Sequence, residues 1–229
     1  MKVFVYVEGP ADSFALSSLW LQWKEQLQPA GWGIQIIPLT DKSRFFRKIG
    51  QVAAEKLVNN DKDLVVGLPD LYPNANYEET EFRHGNVQEL KDLQRHLVRQ
   101  SLKEVYQLDD KDVGKKLDRF CPSALKHDLE MLLLAARAEL RAFLGTPDTL
   151  GNWIKPVENQ NQTRPPKYVV SDLFRTKAGR RYRDTVDASA VLRRVQNLRD
   201  ILFLSGQPQC PVFIEMLNWI GSNTKIATY

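Results

Sequence analysis

Apolar and polar positions alternate in blocks through the first third of the chain. Val3–Val7 (VFVYV) is apolar or aromatic throughout, as in a strand covered on both faces. Phe14, Leu16, Leu19, Trp20, Trp23 and Leu27 follow at helical spacing, which predicts an amphipathic helix over Ser13–Gln28, stopped by Pro29 and the Gly31/Gly33 pair. Gly33–Leu39 (GIQIIPL) predicts a second strand, Ser43–Val58 a second helix, and Asp63–Leu68 (DLVVGL) a third strand. Strand, helix, strand, helix, strand at this spacing implies an α/β fold with a parallel sheet and crossover helices.

Further along, Leu90, Leu93, Leu97, Leu102 and Val105 predict a helix near Val87–Gln107, and DDKDVGKK reads as a short polar link. Phe120–Lys126 is a fourth strand candidate, and Asp128–Leu144 (DLEMLLLAARAELRAFL) a largely buried helix. Gly145 to Pro166 reads as loop, followed by helices around Lys167–Arg175, Ala188–Leu204 and Val212–Ile220. The expected organisation is an α/β core over residues 1–145 and a basic, mainly helical part over 146–229, packed on that core as one unit.

Composition narrows the class. A chain of 229 residues, 43% hydrophobic, can bury one core of ordinary size. No apolar run reaches the ~18 residues of a membrane span, so no membrane association is expected. Lys2 leads directly into a strand-like run without a small-residue cleavage site, unlike a secretory leader. Cys121 and Cys210 each precede a proline and lack metal-ligand spacing, which suggests a reduced, cytoplasmic setting. Charge is uneven. The chain carries +4, but Arg164–Arg199 holds ten Lys/Arg against three Asp, a net +7 that leaves −3 for the rest. Such a stretch suits a polyanion, nucleic acid included, or is simply a solvated helical face.

The candidate chemistry lies at strand ends. Ligands of open parallel sheets gather beyond the carboxyl ends of the strands, where strand order reverses. Glu8 follows the first strand and Asp70 the third; if those strands are neighbours, both carboxylates face one crevice. Like charges so placed suit a hard cation such as Mg²⁺ or Mn²⁺. Each has a plainer alternative: Glu8 pairing with a lysine, Asp12 capping a helix, Asp70 serving a turn before Tyr72-Pro73. The third cluster is KHDLEMLLLA. Within a continuous helix His127 and Glu130 would share a face, while Asp128 and Glu130 would point to nearly opposite sides. An acid pair favoured by the helix dipole is the alternative there. Neither a zinc-protease HExxH nor a P-loop nor a dinucleotide fingerprint is present.

Taken together, VFVYVEGPAD, GLPDLYP and RFCPSALKHDLEMLLLA, followed by PPKYVVSDLF and CPVFIEMLNWI, give the chain a resemblance that covers most of its length. It resembles an uncharacterised bacterial family, domain-of-unknown-function family 4276, whose fold is considered Toprim-like. Toprim is the metal-binding fold shared by topoisomerases, primases and overcoming-lysogenization-defect nucleases. The resemblance implies a Toprim-like parallel sheet flanked by helices, with Glu8 as general acid/base and Asp70 as a Mg²⁺ ligand. The sequence departs at Tyr72, where a typical Toprim has a second Asp, and at Asp128, where the family usually has Glu. Two-metal hydrolysis then needs Asp128 or Glu130 as the replacement ligand.

The expectation is a Mg²⁺- or Mn²⁺-dependent nuclease-like protein. Glu8 and Asp70 are its catalytic residues, and Glu8, Asp70, Asp128 and Glu130 its metal ligands. Asp12, Tyr72 and His127 are auxiliary; Lys167, Lys177, Arg180, Arg181 and Arg183 grip nucleic acid. By resemblance an ATPase partner and a part in defence against phage are implied. The alternative is a non-catalytic subunit that keeps the fold and binds nucleic acid or a partner.

Overall fold

A computed structural model describes residues 1–160 and 164–229. Four parallel strands form the sheet: β1 (Lys2–Val7), β2 (Gly33–Pro38), β3 (Leu64–Leu68) and β4 (Phe120–Pro122), in the order β2-β1-β3-β4. Alternate side chains of β1 feed two different cores, because successive residues of a strand point to opposite faces. Val3, Val5 and Val7 join one cluster, and Phe4 and Tyr6 the other. Both faces are thus buried, which explains an apolar run without alternation.

On the Val3/Val5/Val7 face lie α1 (Pro10–Leu19) and α2 (Leu21–Leu27); α3 (Lys42–Asn59), α4 (Val87–Glu104) and α5 (Asp110–Leu117) cover the other. Connections that leave on opposite faces reverse the strand order between β1 and β3. The remaining elements are α6 (Glu130–Ala135), α7 (Arg137–Leu144), α8 (Pro166–Lys177), α9 (Ser189–Leu192), α10 (Leu198–Leu202), a small hairpin of β5 (Phe203–Leu204) and β6 (Gln207–Pro208), and α11 (Pro211–Thr224). Val170, Phe174, Val191 and Phe213 share one buried cluster with β1 and β3, so the C-terminal helices are part of the sheet's own core. Among the described residues no helix is long and apolar enough to cross a membrane.

The helix predicted over Ser13–Gln28 starts earlier and breaks in two. Trp20 leaves helical geometry (φ −96°, ψ 17°), and its ring is buried against Trp23 and Phe213 at centroid distances of 5.5 and 6.1 Å. DDKDVGKK is not a link but α5: Asp109 caps it by accepting the Asp112 N–H at 2.8 Å, and Val113 and Leu117 bury its inner side. The helix predicted over Asp128–Leu144 begins only at Glu130 and breaks at Ala136, which is fully buried with ψ 50°. Ala188–Leu204 is likewise a π turn over Asp184–Ala188, two short helices and a strand. The loop predicted for Gly145–Pro166 is seen, with one short turn at Val157–Asn159; positions 161–163 of it lie outside the described residues.

Candidate carboxylate site at the sheet edge

β1 and β3 pair with Val7 opposite Leu68, so the residues that follow them leave from one edge. Glu8 and Asp70 meet there: the Asp70 N–H donates to Glu8 Oε1 at 3.0 Å. A short parallel bridge then ties Asp70 to Leu125. Leu71 N–H donates to the Leu125 carbonyl at 2.7 Å, and Leu125 N–H to the Pro69 carbonyl at 2.9 Å. These bonds carry the chain beyond β4, with His127, Asp128 and Glu130, to the same edge.

Asp12 sits in the first turn of α1, where its Oδ2 accepts the Gly9 N–H at 3.0 Å. Asp12 is thus not the N-cap residue itself, which is Gly9, but reaches back to it from the third helical position, and its carboxyl also feels the charges of Glu130, Lys167 and Asp184. Asp128 and Glu130 do not diverge as a continuous helix would require. Asp128 precedes the first turn of α6, and the two carboxyls are close enough for Glu130 to raise the proton affinity of Asp128. The shared helix face expected for His127 and Glu130 fails for the same reason. His127 instead lies against Tyr72, ring centroids 5.2 Å apart and 30° between planes.

Five carboxyls thus crowd one half-buried edge, and all hold protons more tightly than usual. Burial pushes Glu8 up to about 7; Asp12 and Asp41 add to the rise, while Lys42 and the Asp70 N–H oppose it. Burial likewise pushes Asp128 up to about 7 and Asp12 up to about 6. Asp70 is raised well above its ordinary value, by burial first and then by Glu8, Asp12 and Asp128. Burial raises Glu130 also. Asp70 Oδ1 and Asp128 Oδ1 are buried without a hydrogen-bond partner, a costly arrangement for carboxylate oxygens that do nothing.

Two lysines offset this charge. Lys42 is only 7% exposed, donates to the Leu71 and Pro73 carbonyls at 2.9 Å each, and feels both Glu8 and Asp70. The backbone N–H of Lys167 donates to Asp128 Oδ2 at 3.2 Å, and its ammonium reaches Asp184 at 3.1 Å and feels Glu130. The Tyr182 hydroxyl, buried beside Glu130, is held far above its ordinary value by burial and then by that carboxylate. Sequence reasoning missed Lys42, Tyr182 and Asp184. Lys42 did leave a signal, since a lysine in the first turn of a helix faces the wrong end of the dipole and needs anionic company.

The other basic residues are mostly occupied. Arg180 forks onto Asp187 at 2.7 and 2.9 Å, and Arg183 reaches the same carboxylate through its N–H at 2.8 Å. Lys177 pairs with Asp148 at 2.7 Å. Arg181 makes no ion pair among the described residues and lines a surface pocket with Arg175 and the exposed Tyr168.

Among the described residues no trio of His, Cys, Asp or Glu is arranged to cage a metal ion directly. Mg²⁺ seldom uses such a cage; it keeps several waters and takes one or two carboxylates. Hard oxygens, a buried unpartnered Asp70 Oδ1 and raised proton affinities at Glu8 and Asp70 are a donor set that fits Mg²⁺ or Mn²⁺. No family model, no curated protein and no solved structure matches the chain.

Proposed function

We propose that the chain is a Mg²⁺- or Mn²⁺-dependent phosphodiester hydrolase of the Toprim-like type, acting on nucleic acid. The observation that carries this reading is the meeting of Glu8 and Asp70 at the point of strand-order reversal, with Asp70 Oδ1 buried and unpartnered. A divalent cation bound there would stabilise charge developing on the phosphate and acidify a water. Glu8 and Asp70 would hold it, with Asp128 and Glu130 completing the site. Glu8, whose carboxyl is balanced near neutrality, would take up or return the proton. Lys42 anchors the Leu71–Pro73 segment and limits repulsion between the two carboxylates. Lys167 does the same for Asp128 and Glu130, and Arg181 is the basic residue best placed to meet a phosphate backbone. An ATPase partner and a part in defence against phage accompany this reading through the sequence resemblance.

The test is cleavage of single- and double-stranded DNA and RNA with Mg²⁺ or Mn²⁺. Glu8→Gln and Asp70→Asn should each abolish it while binding persists. A second reading, a non-catalytic subunit of the same fold, is favoured by Tyr72 standing where a second acid would be and by the internal use of Arg180 and Arg183. Wild type that binds nucleic acid and cleaves none of the four would establish that second reading over the first.

A further inference from the structure

Beside the carboxylate edge, Tyr72, Pro73, Asn74, His127, Asp128 and Pro165 line a pocket of about 350 Å³. That volume is within the range of small-molecule sites. Its walls are mainly apolar, and the Tyr72–His127 pair supplies an aromatic surface. Asp128 and Asn74 bring acceptor oxygens to it. Asp128 Oδ1 is buried and unpartnered, and Asn74, whose amide nitrogen donates to the His84 carbonyl at 3.2 Å, has its Oδ1 without a partner among the described residues.

We propose that this pocket takes one unpaired, amino-bearing nucleobase of a single-stranded nucleic acid, stacked on Tyr72 and His127; the identity of the ligand as nucleic acid rests on the function proposed above. The phosphate itself does not belong in the pocket, because Asp128 repels an anion. Aromatic stacking accepts any base. The Asp128 carboxylate and the Asn74 amide oxygen in the lining favour the amino groups of adenine, cytosine or guanine over thymine or uracil, whose single N–H lies between two carbonyls. A base paired within a duplex is unable to enter without being extruded.

The experiment uses a thymidine oligonucleotide of about ten residues carrying one central 2-aminopurine, an amino-bearing fluorescent base. It is titrated with the whole protein in EDTA at pH 8, so that no cleavage occurs. Stacking should quench the fluorophore, and binding should be about tenfold or more tighter than for the same strand with an abasic central position. The duplex form should bind more weakly than the single strand. Tyr72→Ala should lose the advantage over the abasic strand, while Tyr72→Phe keeps it. No quenching, equal binding of the abasic strand, or an unchanged advantage in Tyr72→Ala overturns the pocket. The abasic comparison needs only wild type, so a poorly folded variant does not shelter the idea. Stacking without metal-dependent cleavage in the earlier assay would remove the hydrolase and leave the pocket; cleavage without stacking would do the reverse.

Discussion

Glu8→Gln should make the metal-free protein more stable above pH 7, although it removes a residue proposed for catalysis. The Glu8 carboxyl has a pKa of about 7 in the folded state, against an ordinary 4.5. A tenfold change in proton affinity corresponds to about 1.4 kcal/mol, so keeping Glu8 ionised at pH 8 costs the folded protein about 3 kcal/mol. The folded state binds more protons than the unfolded state between those values. Stability is therefore highest at the acid end of the window and is lost as pH rises through about 7. Glutamine keeps the Oε1 acceptor for the Asp70 N–H and removes the charge. In urea melts with EDTA, wild type should lose stability steadily from pH 5 to pH 8, with Asp12, Asp70 and Asp128 adding to the slope. The variant should match wild type at pH 5 and exceed it at pH 8 by up to about 3 kcal/mol. A variant less stable than wild type at pH 8, or a wild-type profile flat across the window, would refute the claim that burial and mutual repulsion dominate this edge.

Lys42→Met should cost about 3–5 kcal/mol at pH 8, because it strips two carbonyls of their donor and leaves two carboxylates without their cation. In chemical denaturation that cost should shrink toward pH 5, where Glu8 protonates; a constant cost would argue for packing alone. Asp187→Asn should cost about 2–4 kcal/mol near pH 7, since a fully buried carboxylate loses its charge-assisted bonds to Arg180 and Arg183. Burial alone would raise its pKa, but the Arg180 fork and the Arg183 N–H hold it below the ordinary value. Its contribution is therefore present above the ordinary Asp range and lost as pH falls through the lowered one, which a melting series from pH 7 to pH 3 would display. Gly67→Ala should cost about 1–3 kcal/mol in the same melts. A Cβ there would stand 2.1 Å from Gln94 Oε1, and Gln94 is pinned by its bonds to the Ser123 and Leu90 carbonyls.

The parallel sheet and the pairing of Glu8 with Asp70 were legible because both follow from local rules. Apolar runs at crossover spacing set the strands, and residues after neighbouring parallel strands emerge together. What was hidden depended on tertiary contacts. Trp20 breaks its helix to bury an indole, and a polar segment became α5 through one cap and two buried side chains. The late start of α6 changed the geometry of the third cluster, because Asp128 and Glu130 are brought together only when no helix separates their directions. Lys167 reads in the sequence as one more cation of a basic stretch. Its neighbourhood with Asp128 and Glu130 arises from where α8 docks. For Arg180 and Arg183 the sequence itself offers nearby Asp184 and Asp187 as partners in place of a polyanion, and it is the fully buried Asp187 that takes both.

The central claim is that Glu8 and Asp70 form a divalent cation site, and Mn²⁺ titration followed by electron paramagnetic resonance tests it most directly. Wild type should remove free Mn²⁺ from solution at pH 7.5. Mg²⁺ should compete for it, and Asp70→Asn should weaken uptake about tenfold or more, on the scale of losing a charged ligand contact. Wild type that leaves the Mn²⁺ signal unchanged, or Asp70→Asn that binds as wild type does, would contradict the account.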